Sequence, residues 1–69
     1  MTQKELLYIE DAIGHEKNII AICRWTIDNL QDEQLKSFLE EEIKGHMSMK
    51  KKLMTILEVK ANDWSITYG

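Results

Sequence analysis

Residues 6–30 read LLYIEDAIGHEKNIIAICRWTIDNL, and the spacing of the apolar side chains in this stretch decides the fold. Leu6, Ile9, Ile13, Ile20, Cys23, Ile27 and Leu30 recur at alternating steps of three and four, with Glu16 in the one remaining place of the series. This is the spacing that lines one seam of an α-helix. Ala12, Ile19 and Ile22 widen the stripe on one side, as expected for a helix with several neighbours in a bundle rather than a narrow two-stranded coil.

Working toward the N-terminus, Thr2 followed three residues later by Glu5 forms a capping box, so helix 1 is expected over about 2–29. Toward the C-terminus, Asn29-Leu30-Gln31-Asp32-Glu33 interrupts the period with residues that favour caps and turns. A second helix is expected over about 33–60, with a seam of Leu35, Leu39, Glu42, His46, Met49, Leu53 and Ile56 flanked by Phe38, Ile43, Leu57 and Val59. The chain has no proline, and its three glycines are Gly14, Gly45 and Gly69, which leaves both long helices without a strong interruption. A short link between them forces an antiparallel hairpin. The fold expected is therefore all-α, with the hairpin occupying residues 1–62 and a tail at 63–69, including Trp64 and Tyr68, that carries no helical period.

A chain of 69 residues buries only about 60% of its unfolded surface. Small scaffolds compensate with disulfides, a structural metal or association, and the single cysteine, Cys23, excludes a disulfide within the chain. Two copies are expected to pair as a homodimer and so complete a four-helix bundle. The net charge of −3 gives no electrostatic reason to expect nucleic acid or an anionic membrane as partner. The longest apolar run, residues 19–23, is far short of the roughly 20 residues that cross a bilayer. A lone thiol, together with a start lacking the basic and apolar parts of a signal peptide, points to a cytoplasmic protein. The triplet Lys50-Lys51-Lys52 reads as a solvated face near Glu10 and Asp11.

Three polar residues interrupt the seams. Folding about position 31 brings residues whose numbers sum to about 62 to one height, so Glu16 lies level with His46, and Glu42 stands one turn from His46. A carboxylate in an apolar seam protonates, pairs or coordinates a metal. On one reading Glu16 and His46 form a buried charge-assisted hydrogen bond that fixes register and partner number. On the other, Glu16, Glu42 and His46 of two chains gather four carboxylates and two imidazoles, the ligand inventory of a di-iron or di-manganese site. The separation of four between Glu42 and His46 differs from the Glu-x-x-His spacing of such sites, although it also places two ligands on one helix face. His15 falls on the flank, Cys23 serves as a small apolar seam residue, and Trp25 stands on the outer face of helix 1.

Leu6-Leu7 near the start of a helix, Glu16-Lys17 at its centre, a polar turn, Leu39-Glu40-Glu41-Glu42 leading to His46, and a closing Trp64 resemble the coat-F type of spore coat protein from endospore-forming bacteria, a family similar in fold to the ferritin-like superfamily. The likeness spans about residues 5–64. It implies a hairpin half the length of a full ferritin-like bundle, deposition in the spore coat, and coat-like protein partners. No glycine-rich phosphate loop, Ser/His/Asp arrangement or cysteine pair is present to suggest an enzyme. The function expected is that of a non-enzymatic, self-associating structural or interaction protein. The alternative is a small di-metal protein holding iron or manganese across a homodimer, and a third reading is a helix-in-groove adaptor for a different protein.

Overall fold

A computed structural model describes residues 1–62, which form two antiparallel helices, α1 (Gln3–Asn29) and α2 (Glu33–Asn62). The expected tail at 63–69, with Trp64 and Tyr68, lies outside the described residues. Thr2 caps α1: its hydroxyl accepts from the Glu5 amide at 3.1 Å, while its own amide donates to Glu5 Oε1 at 2.8 Å. The hydrogen bond from the Thr2 backbone, with the Thr2 hydroxyl as the next contributor, holds the Glu5 carboxyl below its usual range. A lowered folded-state value means that the carboxylate half of this cap is fully present above the ordinary carboxylate range and is lost as pH falls through the lowered value, while the bond to the Thr2 hydroxyl does not titrate.

Leu30 leaves the helical region with φ −93° and ψ 150°, and its amide reaches back to the Ile27 carbonyl at 3.2 Å. Two residues later Asp32 opens α2, its Oδ1 accepting from the amides of Gln34 at 2.9 Å and Leu35 at 3.1 Å. The reversal therefore rests on one extended leucine and one aspartate cap, with neither glycine nor proline. Replacing Gln31 and Asp32 by alanine removes the cap and favours a continuous helix. The expected result is a domain-swapped or longer assembly, read by small-angle scattering as a maximum dimension well above the 49 Å of the hairpin. An unchanged scattering profile would contradict this.

The α1 seam follows the expected series, and its Ile13 and Ile20, with Ile43 of α2, are the most deeply buried apolar residues described. The α2 seam is shifted by one place at every second step. Lys36, Ile43, Lys50 and Leu57 turn toward α1, together with Leu39, His46 and Leu53, whereas Leu35, Glu42, Met49 and Ile56 stand exposed. Lysine tolerates such a place because its alkyl stem covers apolar surface while the ammonium stays in water. Lys36 does so with its Nζ 3.6 Å from Glu33.

With extents of 49 × 16 × 11 Å, the molecule is a single layer of helix. Domains are built from two or more packed layers. Among the described residues no side chain is fully enclosed, so this layer leaves much of its apolar surface in water.

Candidate functional site

The helical period fixes which exposed residues share a side. A residue one place before a seam position is turned from it by about 100°. Because the chain direction reverses between α1 and α2, that turn carries the preceding residues of both helices to the same face of the hairpin. On this face α1 places Tyr8, Ile19 and Ile22, and α2 places Leu35, Phe38, Met49, Ile56 and Val59. The contacts agree with this placement. Tyr8 and Ile56 line one surface hollow together with Ile9, and Glu42, Gly45 and Met49 line another with Glu16 and His46.

On the opposite face stand Glu10, Lys17, Arg24, Lys44, Lys51 and Glu58, interspersed with Leu7, Met47 and Met54. There the two helices are bridged by Arg24, whose guanidinium donates to Met47 Sδ at 3.9 Å. Phe38 and Ile22 are 61% and 63% exposed on the apolar face. Exposed apolar residues thus gather on this face, with the charged Glu42 and Lys52 among them.

Beneath the middle of the apolar face, His46 Nδ1 lies 2.5 Å from Glu16 Oε2, with side-chain exposures of 30% and 17%. Residue 16 is the midpoint of α1, and the contact verifies that numbers summing to 62 share a height. The pair occupies a polar layer between the apolar steps of Ile13 below and Ile20 and Ile43 above. Glu42 stands outside the seam but lines the same hollow, of about 300 Å³, with Glu16 and His46. Of the three expected ligands, then, the fold brings Glu16 and His46 into direct contact and sets Glu42 at the rim. Among the described residues, no three His, Cys, Asp or Glu side chains gather within one chain closely enough to hold an ion.

Gly45, in the sequence no more than a weak interruption of α2, lies on the apolar face at the height of the Glu16–His46 pair. A Cβ built there meets nothing within 4 Å in the single chain. Its place beside His46, in the series 35, 38, 42, 45, 49, 52, 56 and 59, was the available signal. Glu41, on the outer flank of this face, pairs with Lys44 at 2.9 Å, and the carboxylate raises the lysine above its ordinary value. No helix of the described residues is long and apolar enough to cross a membrane.

No protein-family model, curated protein or solved structure matches the chain.

Proposed function

We propose that this chain is a non-enzymatic self-association module, a half-bundle whose apolar face is covered by a second copy to make a four-helix homodimer. The observation that carries this reading is the uneven distribution of exposed apolar residues: Tyr8, Ile19, Ile22, Leu35, Phe38, Met49, Ile56 and Val59 share one face, where they add a second helical stripe to each helix, whereas Leu7, Trp25, Met47 and Met54 are scattered over the rest of the surface. A two-fold axis makes such a face its own complement. The dimer would present its charged faces outward to coat-like partners, the setting implied by the sequence resemblance. Sedimentation equilibrium at micromolar concentration tests the association, with a dimer as the expected species. The thermal midpoint should rise with protein concentration, since folding and association are coupled. A cooperatively folding helical monomer would overturn the proposal.

A second reading is favoured by one observation, the shared hollow of Glu16, Glu42 and His46. In a dimer joined at that height, two sets of these side chains would meet and could hold iron or manganese. Added manganese or ferrous iron should then raise the thermal midpoint of the wild-type chain, because a ligand bound by the folded state alone stabilises it. Glu16→Ala should abolish the rise. Loading to less than about one ion per two chains by elemental analysis would end this reading, which needs roughly two.

A further inference from the structure

Self-association leaves open which helix of the partner covers which, and the charges on α2 decide it. The acidic run Glu40-Glu41-Glu42 and the basic run Lys50-Lys51-Lys52 lie at equal distances on either side of His46. Of these six, Glu42 and Lys52 fall on the apolar face. Resting on the homodimer reading above, we infer that the two-fold axis runs perpendicular to the helices at the height of Glu16 and His46. Each α2 then lies antiparallel on the partner's α2, with Glu42 of each copy beside Lys52 of the other.

A perpendicular axis at that height opposes α2 residues whose numbers sum to about 92 and α1 residues whose numbers sum to about 32. Leu35 then meets Ile56 of the second copy, Tyr8 meets Ile22, and Ala12 meets Ile19, so these apolar residues face apolar ones, while His15 comes level with its own copy near the axis. Glu42 and Lys52 fall within two residues of perfect opposition, a separation along the helix direction of about 3 Å that either side chain spans. Gly45 is the face residue nearest the axis. It meets its own symmetry copy where the α2 helices come closest, and its missing side chain lets the backbones approach.

The competing axis, parallel to the helices, lays α2 on the partner's α1 at equal heights. It would set the Glu42 carboxylate against Ile19 and Ile22, with no cation on that part of the α1 face, and a charge buried without a partner is strongly disfavoured. Charge complementarity thus favours the perpendicular axis.

Two variants and one cross-link test the arrangement in the full-length chain. Glu42→Lys places two cations together across the axis, and Lys52→Glu places two anions together, so each variant alone should dimerise at least about tenfold more weakly than wild type. Mixed in equal amounts, the two should form a heterodimer of near wild-type affinity, because both interchain pairs are restored with opposite signs. Native mass spectrometry reads the species directly. In a Cys23→Ala background, Gly45→Cys should form a disulfide-linked dimer under mild oxidation. Under the parallel axis the two copies of residue 45 sit on diagonal helices, beyond the roughly 7 Å between Cα atoms that a disulfide permits. Absence of either the heterodimer or the cross-link, with wild type still dimeric, overturns the arrangement and leaves self-association standing. A monomeric wild type overturns both, and assigns the face to a different protein or to residues 63–69.

Discussion

Ile22→Asp combined with Phe38→Asp should convert the dimer to a monomer, weakening association by about 10³–10⁵-fold. Both side chains are more than half exposed in the single hairpin, so a carboxylate at either place costs the isolated chain little. In the homodimer the pair is lost twice, four apolar side chains in all. Full burial of each contributes about 1.5–3 kcal/mol. The exposed share that remains to be buried brings the sum to roughly 4–7 kcal/mol, at about 1.4 kcal/mol per tenfold. The control is Leu7→Asp with Met54→Asp, which likewise puts aspartate in place of two large apolar residues, 53% and 47% exposed, on the opposite face. That variant should keep the wild-type dissociation constant in sedimentation equilibrium. If both double variants weakened association equally, the assignment of the interface to one face would be wrong.

The contrast between the faces also explains which parts of the fold could be read from the residues alone. Along α1 every seam place except Glu16 is apolar, and the flanking stripe of Ala12, Ile19 and Ile22 is shorter than the seam. One phase therefore dominates, and the reading of α1 matches the structure. Along α2 two stripes compete. Both share Leu39, His46 and Leu53. Besides the shared His46, the stripe containing Leu35, Met49 and Ile56 is interrupted by Glu42 alone, whereas the stripe containing Ile43 and Leu57 is interrupted by Lys36 and Lys50.

Counting apolar residues selects the first stripe, and the structure uses the second to face α1. Hydropathy cannot separate a seam against the hairpin partner from an apolar stripe that the hairpin leaves exposed, since both are built from the same residue types. The lysine stems add to the difficulty by filling seam places without looking apolar. The same competition misplaced Glu42. Its level beside His46 followed from the position of the turn, but its direction followed from the wrong stripe. The contact between Glu16 and His46 was legible because it depends only on height and on two places common to both phases.

A half-bundle whose polar layer sits at its midpoint has a consequence for assembly. In the proposed dimer, either two-fold axis through the middle of the apolar face would bring the two Glu16–His46 pairs to the same level, so that the layer would select a height. The interchain neighbours of Glu42 and Lys52 would then select among the orientations available at that height. Height and orientation would thus be carried by different residues, and substitutions can separate them.

Changing Glu16 and His46 together to leucine should hold stability level or raise it by about 1–4 kcal/mol, whereas changing either alone should destabilise. The hydrogen bond between them stands among Ile13, Ile20 and Ile43. His46→Leu leaves the Glu16 carboxylate, 17% exposed, without that donor. An unsatisfied charged group of this kind costs about 1–3 kcal/mol or more, and the cost grows when a second copy excludes the remaining water. Glu16→Leu leaves the imidazole likewise unpartnered. In the double variant both polar groups are gone and the layer is apolar, a change that in other proteins is neutral or stabilising. The loss should appear in uniqueness instead: apolar layers slide past one another at small cost, whereas two pairs of polar groups meet favourably at one height. The expected result is a higher thermal midpoint accompanied by more than one species in sedimentation velocity. The Gly45→Cys cross-link should also fall in yield as other registers compete. If the double variant instead gave a single dimer with undiminished cross-linking, height as well as orientation would belong to Glu42 and Lys52. The Glu16–His46 pair would then have no part in specifying the assembly.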